Sequence, residues 1–236
     1  MGLERGPPIG YYLAMRTLYH MILSPHSRKI RLVLGEKGLA FELRAEKTWE
    51  RREGFLKLNP AGDVPVLVEE GSRFYADSNA ISEYLDEAYP EPPLLGNDVD
   101  GRAEIRRLVA WFDDKFHREV GRPLINERLM KRFLGLGEPQ AHVIRNASRN
   151  LRSHLDYISY LAERRNYLAD GIVSLADLAA AAHLSVADYL GHIDWSAYPR
   201  VKDWYVKVKS RKSFRPLLKD RVPGLEPPKH YSELDF

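Results

Sequence analysis

Three short runs in this 236-residue chain combine residue types and spacings that can do chemistry: Ser24-Pro25-His26-Ser27, Val64-Pro65 and Asp77-Ser78. Serine directly before proline, at the head of an apolar-periodic stretch, is an N-cap followed by N1. Ser24 therefore stands where free backbone N–H groups and the positive dipole end of a helix favour an anion, although the same pair is also an ordinary helix cap. Ser27, one turn further in, is the fallback hydroxyl for that role, and His26 reads either as a solvated residue of the first turn or as part of the same mouth. Asp77-Ser78 repeats the choice between anion site and cap at a later helix start. Val64-Pro65 opens a strand; cis X-Pro bonds are only about 5–6% of those in folded proteins, so the residues alone favour trans.

Other chemistries are excluded by composition and spacing. The chain has no cysteine, which removes disulfides, thiolate zinc sites and protein thiol nucleophiles and points to a reducing compartment. Its eight histidines are scattered, with no pair at ligand spacing on one helix face, so no metal site is expected. There is no GxSxG, phosphate loop or HExxH, and Gly135-Leu136-Gly137 lacks a third glycine and a preceding strand. Thirty-six Lys plus Arg against thirty-three Asp plus Glu give a net charge of +3, interspersed rather than clustered, which argues against nucleic acid as a partner. No apolar run approaches the ~20 residues of a membrane span, and residues 1–14 lack the apolar stretch of a secretion signal. A cytoplasmic location is the expectation, with residues 1–14 an arm or tag.

The elements that position those runs follow from the pattern. Arg16 to Leu23 reads as a strand closed by Ser24-Pro25. A helix follows with Ile30, Val33 and Leu34 inward and stops at Gly38. Phe41 to Ala45 is a second strand, and Trp49 to Leu58 a short charged helix. Val64 to Val68 and Arg73 to Tyr75 form a hairpin turning at 69–72, and a helix from Asp77-Ser78 ends at Tyr89-Pro90. Residues 15–90 are thus a βαβαββα domain and the proline-rich 91–98 a linker. Residues 99–220 are all-helical, with a capping box at Ser174–Asp177. Trp111, Phe112 and Phe116 on the first long helix read as core or dimer interface, or as the lining of an apolar second-substrate pocket. Residues 221–236, with three prolines, form an extended tail that either straps the helical domain or docks on a partner.

A mixed α/β domain followed by an all-helical one, carrying SPHSRKIRLVLGEKGL, LNPAGDVPVL, DSNAISEYLDE, DGIVSLADLAAA and YPRVKDWYVKVKSRKSF in order, resembles the glutathione S-transferase superfamily. The resemblance implies a two-domain α+β/all-α fold: a thioredoxin-like N-terminal domain with a mixed four-stranded sheet, an all-helical C-terminal domain, a tripeptide cleft between them, and a homodimer. It makes Ser24 the candidate catalytic residue of the serine type, stabilising a ligand thiolate. Bringing a thiol from about 8.5 to near 6.5 needs only ~2.7 kcal/mol, within reach of a hydroxyl and a helix dipole. It also implies a cis Val64-Pro65 whose backbone pairs with the tripeptide, and a γ-glutamyl site at Asp77-Ser78. There Asp77 is one methylene shorter than the family's usual Glu or Gln, which weakens the grip.

The tail PPKHYSELDF, the EKTWERRE segment and the altered Asp77 pair are similar to a branch of that superfamily in bacterial division, whose members bind filaments of the tubulin-like protein FtsZ. Two readings of different class therefore stand: a non-catalytic adaptor on FtsZ filaments, and a serine-type transferase conjugating glutathione to small electrophiles. No cofactor is required; glutathione is a substrate in the second reading and at most a vestigial ligand in the first. The partner-binding candidates are Trp49, Tyr231, Glu233, Leu234, Asp235 and Phe236. For Trp49 the competing reading is packing against its own domain.

Overall fold

The computed structural model describes residues 16–69, 73–234 and 236. The arm at 1–14, the hairpin turn at 70–72 and Asp235 lie outside the described residues.

Strand β1 (Thr17–His20) leads into α1 (Pro25–Glu36), then β2 (Glu42–Ala45), α2 (Glu53–Leu56), β3 (Val66–Val68), β4 (Phe74–Ala76) and α3 (Ser78–Ala88). The strands form one mixed sheet in the order β2-β1-β3-β4. β1 pairs parallel with β2 and antiparallel with β3, with Leu18 opposite Leu43 and Leu67, and β3 pairs antiparallel with β4. The parallel β1–β2 step requires a crossover, and α1 supplies it. α1 and α3 cover one face of the sheet, where Leu18, Ile30, Val33, Leu67, Ile81 and Leu85 are fully buried. Tyr19, Phe55 and Val66 make a small core on the other face.

The expected helix from Trp49 to Leu58 is broken. Thr48–Glu50 is a single 3₁₀ turn, Arg51 adopts a left-handed φ of 45°, and α2 begins only at Glu53. The break has a local cause: Arg52 turns to bind Glu46, a buried carboxylate, at 2.6 Å.

Beyond the linker, one unbroken helical run spans 99–134. It comprises α4 (Val99–Ala110), a π-helical stretch Trp111–Gly121, α5 (Arg122–Ile125), a second π turn Asn126–Met130, and α6 (Lys131–Leu134). Phe112 and Phe116 are fully buried in it, so they are core rather than pocket lining. α7 (Ala141–Ala162), α8 (Leu175–Tyr189), α9 (Pro199–Lys209) and α10 (Arg215–Leu218) complete the bundle. All residues of α8 are buried, and its Ala179–Ala182 run lets α1 approach closely. The capping box forms as expected, with both the backbone N–H and the hydroxyl of Ser174 donating to Asp177 at 3.0 Å. Asp177 also accepts from Trp204 Nε1 at 2.9 Å and from the Leu168 N–H at 2.8 Å. Among the described residues no helix is long and apolar enough to cross a membrane.

Candidate functional site

The sheet edge and the first turns of α1 and α3 face the long helical run across a cleft of about 660 Å³. Ser24, Val64, Pro65, Asp77 and Ser78 all line it, opposite His117, Arg122 and Asn126. Three loops of the first domain bring the five sequence-chosen residues together.

Ser24 has extended backbone and caps α1, its Oγ accepting the Ser27 N–H at 3.2 Å, with Pro25 at the first helical position. Its hydroxyl is thus both cap and cleft wall. Ser27 is different: it is fully buried, its Oγ has no partner, and it is not part of the wall. The fallback fails because Ser27, one turn into α1, is fully buried and off the cleft wall. The Val64-Pro65 peptide is cis, as the resemblance implies and against what the residues alone favour.

Asp77 holds a left-handed φ of 73°, a conformation costly for a residue with a Cβ and concentrated at functional sites. Its carboxylate accepts the N–H groups of Asn79 at 2.8 Å and Ala80 at 3.1 Å. These are two of the orphan donors of the α3 N-terminus, a position that favours an anion. Here the chain's own side chain occupies them. Ser78 is buried, and its carbonyl accepts from the Ser82 hydroxyl at 2.7 Å.

The loop 21–23 separates this cleft from a second concavity of about 470 Å³, a groove lined by Trp49, Phe133, Leu129, Ile22, Val222 and Pro223 among others. Trp49 is half-buried and sits 5.8 Å from Phe133, centroid to centroid; Phe133 is itself 42% exposed. Trp49 thus packs on its own chain and still forms part of an open apolar surface. The groove was reachable from sequence only through Trp49, because Phe133 lies 84 positions away on α6.

The tail is a strap. Tyr231 is fully buried, its hydroxyl donating to the Leu217 carbonyl at 3.1 Å and accepting from Arg28 Nη1 at 3.0 Å. Phe236 lies 5.3 Å from the Trp195 ring and 4.0 Å from Lys209 Nζ. The Lys209 ammonium also donates to the His230 carbonyl at 3.1 Å, and burial brings its pKa down to about 8. The expectation that Tyr231 anchors a partner is corrected, since it is fully buried in its own chain; Phe236, half-buried, packs the tail onto its own body. Glu233 and Leu234 are exposed.

Spacing reasoning also missed a cluster beneath the cleft. His26 contributes to the wall and gives a 3.2 Å hydrogen bond to the Asp113 carbonyl. His183 Nε2 meets Asp113 Oδ1 at 3.1 Å, and the buried Lys29 ammonium pairs with the other Asp113 oxygen. Burial acts to raise the Asp113 pKa, but Lys29 and His183 hold it well below the usual carboxylate range. Burial brings His183 down to about 4 and His117 to about 3, so both are neutral at neutral pH.

Residues 18–93 match the family model described as glutathione S-transferase, N-terminal domain. The chain is 48% identical over 224 residues to FtsZ-localized protein A of Caulobacter vibrioides, covering 94% of this chain and 98% of that protein. It is 32% identical over 214 residues to glutathione S-transferase 3 of Zea mays, covering 86% and 93%. A crystal structure of a glutathione S-transferase from Rhodospirillum rubrum superposes with a TM-score of 0.92 at 52% identity, covering 94% of this chain and all of that one.

Proposed function

The chain belongs to the glutathione S-transferase superfamily, and from that premise we propose that it is a non-catalytic adaptor of bacterial division, a cytoplasmic homodimer that associates with FtsZ filaments. Near-complete coverage at 48% identity to a protein named for its localisation with FtsZ carries this reading. Two features of the molecule support it. The carboxylate of Asp77 spends two of the α3 donors on its own cap, which lowers the affinity available to a γ-glutamyl group. The groove at Trp49 and Phe133 offers aromatic surface of the kind that dominates macromolecular contacts. A dimer carrying two such surfaces would bind a filament with avidity, because the second contact is intramolecular.

The intact placement of Ser24 beside the cis Val64-Pro65 favours, as a second reading, a retained serine-type transferase that takes glutathione as substrate. Co-sedimentation with polymerised FtsZ and conjugation of a generic aryl electrophile separate the two. The adaptor requires saturable pelleting that depends on filaments, with turnover at background. No pelleting, together with turnover abolished by Ser24→Ala, overturns it.

A further inference from the structure

The histidine cluster under the cleft does work that neither the adaptor nor the transferase reading uses. One imidazole nitrogen each of His26 and His183 and one carboxylate oxygen of Asp113 lie within 4.8 Å of one another, contributed by α1, α8 and the long helical run. We propose that these residues form a divalent-cation site, best suited to Zn²⁺, opening on the cleft.

The donor set is two imidazoles and one carboxylate, the combination that binds zinc with a position left for water. The surroundings prepare it. Lys29 holds one Asp113 oxygen and also donates to Asn79 Oδ1 at 2.8 Å, so the carboxylate is fixed with its other oxygen toward His183. The bond from His26 to the Asp113 backbone carbonyl orients that ring, as outer hydrogen bonds do for ligating histidines. His183 is 1% exposed, and its Nδ1 has no partner, which leaves that nitrogen free to carry the ring proton when Nε2 turns to an ion. His117 lies against both rings, with centroids 4.7 Å from His26 and 5.7 Å from His183, and lines the cleft with His26. It completes the mouth through which an ion would enter.

On binding, Zn²⁺ takes the Nε2 lone pair of His183 and the Asp113 Oδ1 in place of the hydrogen bond between them. The ring, neutral before and after, carries its one proton on Nδ1 instead of Nε2, so no proton is released from it. The nearby ammonium of Lys29 opposes a second positive charge, which sets the expected affinity near the micromolar range, about −8 kcal/mol, rather than that of a structural zinc.

The test is calorimetric titration of the tag-free full chain with zinc chloride, paralleled by visible spectra with Co²⁺. One ion per chain and the intense absorption of four-coordinate cobalt are expected. His26→Ala, a change at the half-buried cleft wall, should weaken Zn²⁺ at least tenfold with the far-ultraviolet circular dichroism unchanged. His142→Ala, at an exposed position of α7, should not. Equal affinity in His26→Ala overturns the site, as does a wild-type cobalt spectrum showing only the weak bands of the hydrated ion. Neither result bears on filament binding.

Discussion

The cleft and the groove share a wall, Met21 and Leu23, yet they are built from different materials. The cleft is made of helix starts and turns: two helix N-termini, a cis-proline turn and a strained Asp77. The groove is made of side chains, Trp49, Phe133 and Leu129 over the start of the tail. Backbone donors at helix starts recognise a small anionic ligand, whereas half-exposed aromatics recognise a surface. In this chain two of the α3 donors, the N–H groups of Asn79 and Ala80, are taken by Asp77, while Phe133 remains open. The two concavities thus offer different kinds of recognition side by side, one through backbone donors and one through aromatic side chains.

The largest expected difference between the two sides is their response to acid. Burial brings His183 and His20 to about 4 and His117 to about 3. Each of these pKa values lies below the unfolded one near 6.5. The unfolded chain therefore binds protons that the folded chain refuses, and stability present above about pH 6.5 is lost as pH falls toward 4. His183 alone contributes on the order of 3 kcal/mol. Two of these residues stand under the cleft and His20 beside the groove. In thermal melts across that range, replacing His117 and His183 together should flatten the profile more than replacing His20. The reverse would place the acid-labile side at the groove.

Next in size is the link between the two sides and the tail. Arg28 is fully buried. Its Nε donates to the Ile22 carbonyl in the shared wall at 2.8 Å, and its Nη1 donates to Ser185 at 2.8 Å and Tyr231 at 3.0 Å. Asp220 accepts from Arg28 and, bidentately, from Arg31, so Arg28→Ala leaves no unpaired carboxylate. The cost is then at the low end for a broken buried ion pair, about 3 kcal/mol. Denaturant midpoints should show it, and limited proteolysis should cut the tail first. A tail that stays protected would mean that the groove and the strap are independent.

The architecture was legible because its punctuation is local. Ser24-Pro25, the Ser174–Asp177 box and Tyr89 to Pro93 announce helix ends by their own chemistry, and the motifs that resemble the family supplied the cis proline. What has no local signal depends on distant partners. Arg28, Lys29 and Arg31 of α1 are all buried, because α8 packs against α1 and carboxylates at 113 and 220 pair with them. Tyr231 belongs to the core for the same reason: its partners lie 14 and 203 positions away. The π-helical stretches leave no periodic signature short enough to read, and a ligand set drawn from three helices has no spacing at all.

A smaller effect sharpens the contrast directly. Trp49→Ala removes the centre of the groove without touching the cleft wall, and a central aromatic is worth at least about 1.4 kcal/mol to a macromolecular contact. Its affinity for FtsZ filaments in co-sedimentation should fall at least tenfold, while glutathione retention on a thiol-linked resin stays as in the wild type. A variant that loses both would show that the shared loop transmits the change.

The smallest effect is the converse substitution. Ser24→Ala removes the Oγ that caps α1, and a lost serine cap costs about 1 kcal/mol of stability. If the hydroxyl does no more than cap, the melting temperature drops by a few degrees, filament association is unchanged, and conjugation stays at the wild-type background. If turnover in the wild type is measurable and vanishes in the variant, the cleft retains its chemistry. The division of labour between the two concavities then fails, since the side judged idle would be an active one.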